Sequence, residues 1–90
     1  MNELFFDILR ENKTSDICTV VLLGYRNGAC PTIRHASAEN FLIKLHNLLL
    51  WPVETIERIR LDLENKGRAV NERMGWLSIE QLRQLGFVGL

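Results

Sequence analysis

Ninety residues at 47% hydrophobic content suffice for one small domain with its own core, which buries roughly two-thirds of the surface that the unfolded chain exposes. Eleven lysines and arginines balance eleven aspartates and glutamates. That neutrality weighs against non-specific nucleic-acid binding, where basic side chains on phosphates dominate affinity, and it removes one barrier to self-association.

In chain order, residues 3–11 place Leu4, Phe5, Ile8 and Leu9 at helical spacing, which predicts a short amphipathic helix, with a strand as the alternative because of the two phenylalanines. Residues 12–16 are polar and turn-forming. Residues 17–25 (ICTVVLLGY) are β-branched and apolar, the composition of a strand, and are too short to cross a membrane as a helix. Asn27-Gly28 is a hairpin turn signal, and residues 30–35 form the returning strand. Centring the hairpin there sets Leu22 opposite Ile33 and Leu23 opposite Thr32. A four-residue loop over 26–29 would move Pro31 to a site that needs no hydrogen bond, with the second strand at or near a sheet edge.

Alternation puts Cys18, Val20, Leu22, Ile33 and His35 on one face and Val21, Leu23, Tyr25, Thr32 and Arg34 on the other. Ser37 is an N-cap candidate for a helix with Phe41, Leu42, Leu45, Leu48 and Leu49 on one side and Ile43 and Leu50 on another, a helix for the middle of a fold. Pro52 breaks that run and begins a second helix over 53–74, whose stripe is Ile56, Ile59, Leu63, Val70 and Met74. Gly67 lies on this stripe. It either ends the helix or admits a close backbone, and the unbroken period favours the second. Five opposite-charge pairs four residues apart describe the helix's solvated side. Ser78 and Gln81 form a capping box, with Leu77 and Leu82 as its staple, for a last helix over 79–85 that ends at Gly86. The expectation is a single α+β domain over residues 1–90. It has a short N-terminal helix, a two-stranded antiparallel hairpin and three helices packed on the hairpin, in the order α-β-β-α-α-α.

Chemistry-bearing groups are few. Cys18, Cys30, His35 and His46 have no zinc-like spacing, and opposite hairpin faces keep the two cysteines apart as free thiols. Cys18 with His35 could be written as nucleophile and base, but an apolar strand is a poor setting for a thiolate. Residues 77–87 resemble the first helix of helix-turn-helix modules, with no room for a recognition helix after them. Two features remain. Leu61 falls on the charged side of its helix, and the stripe Val21, Leu23 and Tyr25 needs cover, from the N-terminal helix, a second copy or a partner. The reading is therefore a non-catalytic protein-binding protein, an adaptor, regulator or inhibitor, with Val21, Leu23, Tyr25, Arg34 and Leu61 as its contact residues. Its partner is another protein or a second copy in a homodimer, and it needs no cofactor or metal. The alternative is a nucleic-acid-associated regulator using Arg68, Arg73 and Arg83. Acids at Glu3 and Asp7, where an export signal needs bases, give the expectation of a cytoplasmic location.

Overall fold

The N-terminal segment is a strand, not a helix, in the computed structural model, which describes residues 4–25, 28–70 and 77–90. β1 (Phe5–Arg10) lies inside an antiparallel sheet of order β3-β2-β1-β4, beside β2 (Cys18–Leu23). β3 (Thr32–His35) and β4 (Arg68–Val70) form the two edges. The helices are α1 (Ala38–Leu49), α2 (Val53–Lys66) and α3 (Ile79–Gln84), so the order is β-β-β-α-α-β-α. The class is α+β as expected, but the N-terminal helix, the isolated hairpin and the order α-β-β-α-α-α are wrong.

Two local effects account for the correction. Leu4, just before β1, and Phe6 and Ile8 within it are buried, while Phe5, Asp7 and Leu9 of β1 point outward. Because Phe5 and Leu9 are apolar too, the period-two signal of a half-buried strand is hidden, and residues 4, 5, 8 and 9 imitate a helical face. At the other misread element, Gly67 adopts φ 73° and its N–H donates to Leu63 O at 3.0 Å. A left-handed residue of this kind closes a helix. Leu63 and Val70 are one heptad apart, so Val70 continued the stripe by coincidence. It sits in β4 and faces outward, while Ala69 is the buried residue there. Met74 and Gly75, at the end of the expected helix, lie outside the described residues.

The hairpin keeps its faces but not its register. Val20 pairs with Ile33 and Val21 with Thr32, two residues from the expected pairing, so every side chain stays on its expected side. Gly24 takes φ 82° and ends β2 early, which lengthens the loop. Pro31 therefore stands opposite Leu22, accepts its N–H at 2.8 Å, and has no N–H to return. Asn27 of the expected turn is outside the described residues.

All three helices serve the inner face. Phe6 meets Phe41 of α1 edge-on, with centroids 5.7 Å apart, and stacks on Phe87 at 6.1 Å. Leu42, Leu45, Ile56, Ile59, Leu63, Leu82 and Leu85 complete the core with Val20 and Leu22. Ser37 caps α1 by accepting the Asn40 N–H at 3.1 Å. Asp16 supports this cap: its carboxylate accepts the Ser37 hydroxyl at 2.6 Å, and its carbonyl accepts the Ala38 N–H at 2.7 Å. The capping box of α3 is complete, and Phe87 N–H returns to Leu82 O at 3.1 Å across Gly86 at φ 112°.

The bend before Pro52 is made by Leu50, which caps α1 at φ 57° with its side chain 82% exposed. A left-handed leucine costs roughly 1–2 kcal/mol, whereas glycine avoids that and loses roughly 0.5–1 kcal/mol in chain entropy. Leu50→Gly is thus expected to stabilise the fold by about 0.5–1 kcal/mol, since an exposed side chain forfeits little packing. A thermal melt checks it. A lowered midpoint would mean that the leucine side chain contributes more than its exposure suggests.

Candidate functional site

The outer face of the sheet carries none of the described helices and presents apolar side chains among polar and charged ones. Strand parity turns Phe5 and Leu9 of β1, Val21 and Leu23 of β2, and Val70 of β4 to this side. Phe5, Val21 and Leu23 are half-buried, while Leu9 is 48% and Val70 45% exposed.

The register orders this face in rows. Arg34, Thr19, Leu9 and Arg68 stand side by side across the four strands, and Thr32, Val21, Asp7 and Val70 form the adjacent row. Each arginine sits on an edge strand and is clamped to a carboxylate. Arg68 donates from Nε and Nη2 to the two oxygens of Asp7, at 2.9 and 2.8 Å. Arg34 grips Glu11 in the same forked way, with Nη2 3.0 Å from Oε2. Hydrogen bonding from Arg34 holds the Glu11 carboxyl below its usual range. The acids are the more sheltered partners: Asp7 and Glu11 side chains are 18% and 33% exposed, against 58% for Arg68 and 65% for Arg34.

Of the expected contact residues, Val21, Leu23 and Arg34 come together on this face. Tyr25, following Gly24 in positive φ, packs against the core cluster. Leu61 is exposed on α2, in the helical layer on the other side of the sheet. The expected cover for the stripe, an N-terminal helix, does not exist, because those residues are β1. The residues missed by sequence reasoning are Phe5, Leu9, Asp7 and Val70, all on the two misread elements. The Phe-Phe pair and the glycine before Arg68 were the signals for them. For the nucleic-acid alternative, Arg68 lies on the open face and Arg83 on α3 in the opposite layer, so these two do not form one patch. Arg73 is outside the described residues.

Cys18 and His35 are direct cross-strand partners on the inner face, but the site is closed. Cys18 is fully buried, and burial, followed by the charges of Asp16 and Glu11, pushes its thiol up to about 11. A nucleophilic thiol requires the reverse shift. His35 Nδ1 accepts the Ser37 N–H at 3.2 Å, and burial, with Lys44 second, lowers its affinity for a proton. Among the described residues no three His, Cys, Asp or Glu side chains converge as a metal site. Both cysteines are free, Cys18 buried and Cys30 exposed. A thiol reagent is therefore expected to modify Cys30 quickly and Cys18 only after denaturation. Equal labelling rates in the native protein would contradict this inner-face placement.

Burial makes the folded protein bind a proton at His35 less tightly than a free imidazole does. The unfolded chain binds the proton more tightly, so this group favours folding fully above the usual imidazole range. That contribution is lost as pH falls from about 6.5 through the folded-state value. An NMR titration should place the His35 midpoint below that of a free imidazole, and a midpoint at or above it would refute the burial.

A polar cleft of about 360 Å³ runs between the end of β1 and α2, lined by Arg10, Lys13, Glu64 and Lys66 among others. Arg10 spends its guanidinium on the carbonyls of Lys13 and Ser15, where it shapes the loop after β1. No described helix is long and apolar enough to cross a membrane. Compared with protein-family models, curated proteins and solved structures, the chain matches none.

Proposed function

We propose that this chain is a non-catalytic protein-binding module, an adaptor, regulator or inhibitor, and that its open sheet face is the docking surface. The observation that carries the reading is a sheet that, among the described residues, has helices on one side and five apolar side chains on the other. Apolar side chains gathered on one face of a folded protein often mark an interaction site. The side chains are mainly aliphatic. Single-stranded nucleic acid prefers stacked aromatic rings on a sheet, and Phe5 is the one aromatic that parity puts here among the described residues, which favours protein over nucleic acid as partner. The buried, poorly acidic Cys18 supports a role without nucleophilic catalysis.

The test uses Leu9 and Val70, because their exposure lets a charge be added at little cost to the fold. Exposed substitutions usually stay within about 0.5 kcal/mol. The double variant Leu9→Lys, Val70→Lys should melt close to the parent and lose a protein that the parent retains from the native host. Retention of the same proteins by parent and double variant would remove the reading.

A further inference from the structure

We infer that His35 is a proton-operated latch on the start of α1: the neutral imidazole holds the Ser37 N–H, and the imidazolium lets it go. The latch lies on the inner side of the sheet, so it operates whatever docks on the outer face.

Three hydrogen bonds tether the start of α1 to the segments around β2 and β3. Ala38 N–H donates to the Asp16 carbonyl at 2.7 Å, the Ser37 hydroxyl donates to the Asp16 carboxylate at 2.6 Å, and Ser37 N–H donates to His35 Nδ1 at 3.2 Å. Ser37 is also the residue that caps the helix, by accepting the Asn40 N–H. The third tether is the one that a proton can cut.

The partners fix the tautomers. A backbone N–H only donates, so His35 Nδ1 must present its lone pair, and the ring proton sits on Nε2. Protonation puts a hydrogen on Nδ1, and an imidazolium has two donors and no acceptor. Two N–H groups would then face each other, and the ring has to turn away from Ser37. His46 is wired in the opposite sense. Its Nδ1 lies 2.9 Å from the Trp51 carbonyl, an acceptor, so it donates there in either charge state. Of the chain's two histidines, His35 is the one whose protonation removes an acceptor in use.

The surroundings decide where the charged ring is drawn. Lys44 on α1 opposes the charge and Asp16, ahead of β2, favours it. Cys18, the cross-strand partner of His35, stays a neutral thiol. Arg34, the neighbouring residue of β3, points to the outer face, where Glu11 engages it. Asp16 is thus the anion that attracts the imidazolium, and its carboxylate is the one holding the Ser37 hydroxyl. Protonation loosens two of the three tethers together. The first turn of α1 comes free, while Leu42 and Leu45 keep the rest of the helix in the core.

Proton linkage sets the size of the effect. Full protonation should raise the ratio of open to latched molecules about tenfold for each pH unit separating the latched midpoint from that of a free imidazole. An NMR titration of the whole chain from about pH 7.5 to about pH 5.5 reads it across the range where a histidine titrates. At the upper end the ring nitrogen shifts should show the Nε2–H tautomer for His35 and the Nδ1–H tautomer for His46. On acidification the Cα shifts of Ala38, Glu39 and Asn40 should fall toward coil values with the His35 midpoint, while those of Leu45, Leu48 and Leu49 hold. His35→Asn places a carbonyl oxygen near the position of Nδ1 and has no proton to gain there, so its first turn should stay helical throughout. If that variant fails to fold, the parent's tautomer and first-turn shifts still decide. An Nδ1–H tautomer at His35, a midpoint at or above that of free imidazole, first-turn shifts indifferent to that midpoint, or the same loss in a folded His35→Asn would each overturn the latch.

Discussion

Phe6→Ala is expected to cost about 3–5 kcal/mol and to leave the domain largely unfolded near 37 °C. Phe6 is fully buried at the centre of the inner face, where its ring contacts Phe41, Trp51 and Phe87 at centroid distances of 5.7, 5.8 and 6.1 Å. These three rings come from α1, from the corner after it and from the segment after α3. One truncation thus opens a cavity shared by three elements, which cannot close around it independently. A chain of this length has about 5–14 kcal/mol in total, so the loss is a large fraction of it. Urea denaturation measures the change. A loss below about 1 kcal/mol would show that the aromatic cluster is not the keystone of the core.

The second large effect is at Leu45, and its informative control is Leu48. Leu45 is fully buried, and Leu45→Ala should cost about 2–5 kcal/mol. Leu48 lies near the edge of the α1 stripe and is exposed, so Leu48→Ala should cost less than about 1 kcal/mol. Sequence reasoning puts both in the core. Equal losses in parallel urea titrations would mean that Leu48 is covered in solution, and near-zero loss at Leu45 would mean that α1 does not pack as described.

The difference between those two leucines shows what the residues disclose and what they do not. Caps are local, and Ser37, Ser78 and Gln81 are where their neighbours demand. Face assignment within the hairpin survives a register error of two, because the side-chain period is two. Helix rotation is less forgiving: a stripe drawn from spacing cannot tell a buried flank from an exposed one, and Leu48 and Ile43 are both substantially exposed. The two misread elements share one cause. β1 and β4 are strands because they pair with each other across most of the chain, and no window of ten residues contains that fact. Half of the outer sheet face was accordingly legible, the half on β2 and β3. Phe5, Asp7, Leu9 and Val70 stayed hidden until the long-range pairing was known.

That long-range pairing also governs how the molecule is made. The meander β1-β2-β3 is contiguous, so it can form while a nascent chain is still growing, but β1 waits for β4. The main-chain groups of Ile8 and Arg10 that pair with Ala69 and Gly67 have no partner until α2 has been synthesised. At about 5–20 residues per second that interval lasts several seconds. Throughout it the emerging chain exposes an unfinished strand bearing Phe6 and Ile8 on one side and Phe5 and Leu9 on the other, a template for pairing with another nascent copy. The arrival of Gly67, which halts the helix and turns the chain back onto β1, is the event that closes this window. Codon-level pausing before residue 67 should therefore lengthen the period of risk and reduce the soluble yield, whereas pausing after residue 70 should not.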